Sequence, residues 1–171
     1  MIRRFRKLCR QHTDRIYTFA FYYLGNREDA EDVTQEVLLR LWNHWERIES
    51  DSLPAWITRV TRNLCLDSLR KRRSYRALVS ADPDGDLQTM SAHPGSNPES
   101  DLQASEIRKQ VQRALDLLDE PYRSIIILRE IQDMKYEQIS DALNLPLNTV
   151  KAYLHRGRER LRNQIRGEDT K

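Results

Sequence analysis

The groups in this sequence best suited to chemistry are cations set at helical spacing. Five of the seven residues from 70 to 76 are basic: Arg70, Lys71, Arg72, Arg73 and Arg76. Between 151 and 166, six Lys or Arg residues stand against one acid, Glu159. From 77 to 105 there is no Lys or Arg, but there are five acids. The net charge of +3 therefore conceals two basic tracts separated by an acidic spacer. Either tract alone is compatible with a solvated helix face. Together they favour a polyanionic partner.

Upstream of the first tract, Trp56, Arg59, Arg62, Asn63 and Asp67 lead into Arg70, Lys71, Arg72 and Arg73. Cations hold a phosphate backbone, and an aromatic ring offers a face to an unstacked base. Trp56 fits a core equally well. In the second tract the outward helical positions are Thr149, Lys151, Ala152, His155 and Arg156. Lys and Arg reach guanine O6/N7 or phosphates, while Thr and Ala touch a thymine methyl. Arg158, Arg160, Arg162 and Arg166 lie farther along and suit phosphates. About four phosphate contacts would give log K a slope of roughly −3.6 against log salt. A third set, Asp32, Gln35, Glu36 and Leu39 with Trp42 at its edge, mixes acid with apolar surface. It reads as a solvated face or as a docking surface for a basic protein. No His or Cys is spaced to complete a metal site or an acid–base pair around Asp32 and Glu36. Nor is there a Gly-rich phosphate loop or a nucleophile–base pair. The sequence predicts no catalytic residue, no metal and no cofactor.

Helices must position these sets. The chain has 171 residues, 39% hydrophobic and 32% charged, with only 5 Gly and 6 Pro. That leaves little material for the tight turns of an all-β fold. Cys9 and Cys65 are the two cysteines, and they lie far apart in sequence, which suits a reducing cytoplasm. No apolar run is long enough to span a membrane, so no membrane insertion is expected, and the basic N-terminus does not read as a signal peptide. Phe5, Leu8, Cys9, His12, Ile16, Phe19, Ala20 and Tyr23 form one helical stripe over 2–24. Gly25 ends that helix and Asn26 caps the next, whose first turn is acidic. Val33, Val37, Leu41, Trp45 and Ile48 carry the second helix forward. A third begins near Leu53-Pro54 and buries Ile57, Val60, Leu64 and Leu69. The segment 81–100, rich in Asp, Pro, Gly and Ser, reads as a linker. Asn97-Pro98 caps and starts a fourth helix with an apolar stripe from Ile107 through Val111, Ala114, Leu115 and Leu118. After a break at Glu120-Pro121 comes the run Ile125–Leu128, a buried helix or the one place a strand could hide. A short helix over 136–143, a turn at Asn144-Leu145-Pro146 and a last helix from 147 to about 165 have helix-turn-helix spacing. The expected fold is all-α: two small helical domains, 1–78 and 101–171, joined by a flexible acidic linker, 79–100.

These motifs together resemble the extracytoplasmic-function class of bacterial sigma factors in the sigma-70 family. The first half carries Asn26-Arg-Glu-Asp-Ala-Glu-Asp-Val-Thr-Gln-Glu-Val and Trp56-Ile-Thr-Arg-Val-Thr-Arg-Asn-Leu-Cys-Leu-Asp, followed by Ser-Leu-Arg-Lys-Arg-Arg. The second half carries Leu118-Asp-Glu-Pro-Tyr-Arg-Ser, Leu128-Arg-Glu, Tyr136-Glu-Gln-Ile and Thr149-Val-Lys-Ala-Tyr-Leu-His-Arg-Gly-Arg-Glu-Arg-Leu. The resemblance implies a region 2 domain whose Asp32, Gln35, Glu36, Leu39 and Trp42 bind the β′ clamp helices of core RNA polymerase. Its Trp56, Arg59, Arg62, Asn63, Asp67 and Arg70–Arg73 would bind and help melt the minus-ten element of promoter DNA. It also implies a region 4 domain that meets the β flap and reads the minus-thirty-five element. Thr149, Lys151, Ala152, His155, Arg156 and Arg158 stand at that family surface, and Arg129 matches a further contact. Such proteins are held idle by an anti-sigma factor, which would have to cover the Asp32–Trp42 face or the recognition helix.

The sequence departs from the family pattern at several points. Lys135 stands where a capping Ser is usual, a loss of about 1 kcal/mol. Asn144 and Asn148 stand at common Gly positions, and Asn tolerates the left-handed conformation. Ala152 and Tyr153 replace a common Ser and Arg. A linker of about 25 residues has an rms span of roughly 25–30 Å and an extended limit near 85 Å, enough to bridge two promoter elements roughly 50 Å apart. Two other readings compete: a helix-turn-helix regulator that works without polymerase, and a small enzyme on a helical scaffold. The first leaves the acidic face and the first basic tract unexplained, and the second lacks any catalytic spacing.

Overall fold

The structure is a computed structural model and describes residues 2–44, 46–79 and 98–168. Trp45, Asn97 and the spacer over 80–97 lie outside the described residues, so the readings placed on them do as well. The described chain is helical and holds no strand. It divides into two compact units, one built on the first three helices and one on the rest.

The first unit comprises α1 (Ile2–Leu24), α2 (Arg27–His44) and α3 (Leu53–Val79). Gly25 takes φ 75°, a left-handed value that glycine adopts without strain, and turns the chain between α1 and α2. Asn26 then caps α2. The Asp29 backbone N–H donates to Asn26 Oδ1 (2.8 Å), and Asn26 Nδ2 donates to Asp29 Oδ2 (2.8 Å). Ile16, Phe19, Ala20, Tyr23 and Leu24 of α1 meet Val33, Val37 and Leu41 of α2 in the core. Full burial of each large aliphatic side chain contributes about 1.5–3 kcal/mol. On α3 the innermost line is Leu53, Ile57, Thr61 and Cys65, whereas Val60, Leu64 and Leu69 flank it, half-buried. Thr61 was missed as a core residue because it is polar. Its hydroxyl is satisfied within the helix by the Ile57 carbonyl (2.8 Å).

The apolar spacing carries α2 to Ile48, but the helix ends at His44. Arg47 N–H closes a turn on the His44 carbonyl (2.9 Å), and Ser52 N–H closes another on Glu49 (3.0 Å). The chain must reverse here so that α3 packs back on α1 and α2. Local periodicity does not report that demand.

The second unit begins with α4 (Pro98–Asp116) and continues through α5 (Tyr122–Ile126) into one turn of π-helix, Ile127–Ile131. The run Ile125–Leu128 is thus helical, and all four side chains are fully enclosed. Ala114, Leu115 and Leu118 are buried as expected, but Ile107 is exposed, one turn or more beyond the packed part of α4. Then come α6 (Tyr136–Leu143) and α7 (Leu147–Glu168). Ile139 and Ala142 of α6 and Val150 and Leu154 of α7 close the seam.

Candidate functional site

Three exposed faces hold the residues singled out in the sequence. On α2 the buried line is Ala30, Val33, Val37 and Leu41, so the opposite strip points to solvent. Asp32, Gln35, Leu39 and Trp42 are exposed there, and Glu36 is half-buried at one margin. Leu39 is 60% exposed and Trp42 is 45% exposed, a high proportion for large apolar groups. Trp42 is steadied from one side by the Phe5 ring, edge-on at 4.7 Å between centroids. Glu36 accepts from Arg40 Nε (2.7 Å) along the same helix. Asp32 and Gln35 lie on the open part of the strip.

On α3, Arg59, Asn63, Asp67, Arg70, Lys71 and Arg73 are exposed, with Arg62 and Trp56 half-buried. Arg59, Asn63, Asp67 and Arg70 recur every three or four residues and so form one stripe. Asp67 lies 3.5 Å from Arg70 within it, which tempers the positive charge locally. Trp56 sits near the His44 ring at 6.2 Å, leaving part of its face open. One member of the basic tract points elsewhere. Arg72 falls on the line of Leu53, Ile57, Thr61 and Cys65, and its Nη2 donates to Asp29 Oδ2 at the start of α2. It ties α3 to α2 instead of joining the outward stripe.

In the second unit, α6 and α7 form a compact corner. Lys has no acceptor, so Lys135 cannot cap α6 with its side chain. The Gln138 carboxamide supplies the other half of a capping box by accepting the Lys135 N–H (3.0 Å). Asn144 ends α6 in the left-handed region, φ 53° and ψ 49°, as its side chain allows. Asn148 needs no such conformation, since it lies in the first turn of α7. Ser140 fastens the turn from both sides. Its hydroxyl donates to the Leu145 carbonyl (2.6 Å), and its carbonyl accepts the Leu145 N–H (3.1 Å).

With Val150, Leu154 and Gly157 turned inward, α7 presents Lys151, Ala152, His155 and Arg156 to solvent; Thr149 is half-buried beside them. Arg162 and Arg166 continue the exposed side. Arg158 and Arg160 flank the seam instead. Arg158 donates to Glu130, and Arg160 stacks over the Tyr122 ring at 4.1 Å. Arg129 donates to Asp133 Oδ1 (3.0 Å) and to the Met134 carbonyl (2.9 Å), and it covers the Tyr136 ring at 5.2 Å. The partners of Arg72, Arg158 and Arg160 were not found from sequence because they lie many residues away. Gly157 explains how close α7 comes to α5: a Cβ there would lie 3.0 Å from Ile126 Cγ1.

Among the described residues no three His, Cys, Asp or Glu side chains gather as a metal site would require. No described helix is long and apolar enough to cross a membrane. Cys65 is buried and Cys9 half-buried, and burial pushes the Cys9 thiol above its ordinary pKa.

The two units correspond to known families. Sigma-70 region 2 matches residues 8–75, and sigma-70 region 4 matches residues 108–161. The ECF RNA polymerase sigma factor SigE of Mycolicibacterium smegmatis is 35% identical over 159 residues, which cover 93% of this chain and 60% of that protein. The chain therefore spans about three fifths of that relative's length. SigW, the ECF RNA polymerase sigma factor of Bacillus subtilis, is 31% identical over 159 residues, covering 91% of this chain and 85% of that protein. Among solved structures, the sigma factor RpoE in complex with the anti-sigma factor NepR from Bartonella quintana has a TM-score of 0.73 at 23% identity, covering 95% of this chain and 96% of that one. CnrH in complex with the cytosolic domain of CnrY has the same TM-score at 20% identity, covering 98% and 90%. At those identities the two structures speak to the fold.

Proposed function

The chain belongs to the extracytoplasmic-function class of sigma-70 family RNA polymerase sigma factors, and from that premise we propose how its exposed faces divide the work of transcription initiation. It acts as an alternative sigma factor that binds core RNA polymerase and directs it to promoters. The chemistry of RNA synthesis belongs to the polymerase, and this chain supplies recognition alone. The observation that carries the reading is the open strip of α2, where Asp32, Gln35, Leu39 and Trp42 stand opposite the buried seam. Large apolar groups exposed beside acids suit a partner helix pair that is basic with apolar gaps, as the β′ clamp helices would be.

The remaining faces then have consistent tasks. Arg59, Arg62 and Arg70–Arg73 supply cations for the strand backbone near the minus-ten element, apart from Arg72, which is engaged by Asp29. Asn63 and Asp67 offer hydrogen-bonding groups to base edges, and the open part of Trp56 offers a stacking face. On the second unit, α7 enters the major groove of the minus-thirty-five element. Lys151, Ala152, His155 and Arg156 meet bases or nearby phosphates, and Thr149 borders the groove. The β flap would hold the second unit on the polymerase. An anti-sigma factor, the kind of partner present in the Bartonella quintana structure, would silence the protein by covering the α2 strip or α7. The site of action is the cytoplasm, where an anti-sigma factor anchored at the inner membrane is one way of holding the idle protein.

Binding of the purified chain to core RNA polymerase tests this reading. Wild type is compared with the double variant Asp32→Ala/Gln35→Ala by analytical size exclusion. Wild type should co-elute with the polymerase and the variant should not. A folded wild type that fails to bind, or a double variant that binds equally well, overturns the assignment of the docking strip.

A further inference from the structure

Arg158 lies within the basic tract of α7, at a position where the family surface meets DNA. The structure gives it a different engagement. Its Nε (2.9 Å) and Nη2 (2.7 Å) both donate to a single oxygen, Glu130 Oε1. The hydrogen bond to Glu130 pushes the guanidinium above its ordinary pKa. Glu130 sits in the π turn Ile127–Ile131, where Gln132 N–H reaches back to the Ile127 carbonyl (3.1 Å). A π turn adds a residue to one turn and rotates the chain beyond it by about 100° relative to a continuous α-helix. The widened turn thus decides the direction in which Glu130 leaves the helix. Its neighbour Arg129 is fastened separately, to Asp133 and the Met134 carbonyl.

We propose that Glu130 and Arg158 are a positioning pair that sets the angle of α7, and that Arg158 does not contact DNA. This deepens the reading of α7 as the recognition helix and rests on it. The pair is about two-fifths exposed on each side, at 44% for Arg158 and 40% for Glu130. An ion pair so wet contributes little to stability. What it does supply is direction: a planar fork on one oxygen fixes the azimuth of α7 where Val150 and Leu154 have already fixed its distance. The opposing account is that Glu130 merely withholds Arg158 from a phosphate. The two accounts differ in sign. If the pair positions α7, removing Glu130 weakens specific binding. If Glu130 competes with DNA, removing it strengthens binding.

The test uses holoenzyme assembled from the full chain and core RNA polymerase. The probes are a duplex pool enriched by the wild-type holoenzyme from random sequence and the unenriched pool at equal length. Glu130→Ala and Arg158→Ala should each lower the ratio of specific to non-specific affinity by up to about fivefold, the most that a pair this exposed can shift it. Both should leave the salt slope unchanged, whereas Arg156→Ala should lower it by about 0.9 if Arg156 meets a phosphate. Arg158→Lys keeps a charge for phosphate but not the two-pronged bond, so it should behave like Arg158→Ala. The exchange Glu130→Arg/Arg158→Glu should recover most of the ratio. A general loss of stability would lower active protein without changing that ratio. Tighter binding by Glu130→Ala, a reduced slope in Arg158→Ala, or wild-type behaviour of Arg158→Lys overturns the proposal. A wild-type holoenzyme that enriches no sequence overturns the sigma reading itself, and the proposal with it.

Discussion

A methyl group added at Gly157 would put the packing of α7 on α5 to a direct test. The new Cβ would lie 3.0 Å from Ile126 Cγ1, 3.2 Å from Ile126 Cδ1 and 3.6 Å from Tyr122 Cβ. Carbon pairs are most favourable at about 3.5–4.0 Å, so two of the three contacts are too short. Ile126 has little room to retreat, being 1% exposed between Ile125 and Ile127, each at 0%. A β-branched side chain on a helix also has one strongly preferred χ1. Against this, Ala in a helix interior gains about 0.5–1 kcal/mol over Gly. Overpacking a tight core costs about 1–3 kcal/mol. The sum for Gly157→Ala is a net loss of about 1 kcal/mol, and Gly157→Val should lose more. One kcal/mol lowers the melting temperature of a unit this size by about 4–8 °C. The tryptophans provide a clean assay, because Trp42, Trp45 and Trp56 all fall in the first half of the chain. Tryptophan fluorescence should melt unchanged in Gly157→Ala, while the tyrosine near-ultraviolet signal should split, the component from Tyr122, Tyr136 and Tyr153 melting earlier and that from Tyr17, Tyr22, Tyr23 and Tyr75 staying with tryptophan. An unchanged or raised transition in the tyrosine signal would refute the close-approach argument.

Contacts in the first unit set further expectations. Arg72→Ala should destabilise it by about 1 kcal/mol, since the Arg72–Asp29 pair is partly buried. Asp29→Ala should cost more, because Asp29 also completes the Asn26 cap, and a denaturant double-mutant cycle would expose the difference. Burial, aided by the nearby Arg15 charge, holds His12 below its ordinary pKa. The neutral imidazole is favoured in the folded state, so its stabilisation is present above about pH 6.5 and is lost as pH falls through the lower folded value. Denaturant midpoints at pH 7.5 and 5.5 should therefore differ less in His12→Gln than in wild type. Leu39→Ser should leave thermal stability unchanged, the side chain being 60% exposed, yet weaken core polymerase binding by about tenfold or more. A lowered melting point in that variant would show that Leu39 is structural.

Much of the architecture can be read from local signals because helix ends here are chemically marked. Gly25-Asn26 and Asn144-Leu145-Pro146 punctuate the chain, and both act as their residue types require. The helix over 136–143 has the bounds its spacing predicts. The end of α2 was harder, because Trp45 and Ile48 continue the apolar rhythm past the point where the chain must fold back. The exposed position of Ile107 is another limit: a stripe says which side of a helix is apolar, not how much of it is covered. The basic tracts show the sharper lesson. Arg72 lies on the extension of the buried line of α3, so its inward direction was available from period alone. Its partner Asp29 and Arg158's partner Glu130 were not, since both pairings arise from tertiary packing. Charge counts therefore overstate how many cations are free for DNA.

At 22 residues α7 is a rod about 33 Å long. A tilt of roughly 5° at the α6–α7 corner would carry its far end about 3 Å, close to the rise of one base pair. Angular error at the hinge thus becomes register error on the duplex. The Ser140 clasp fixes the corner, and the close contact at Gly157 and the Arg160–Tyr122 stack act as bearings along the shaft. With the rod seated at several points, discrimination between promoters depends on the side chains it carries, and the surface of α7 can change its sequence preference without any change in its aim.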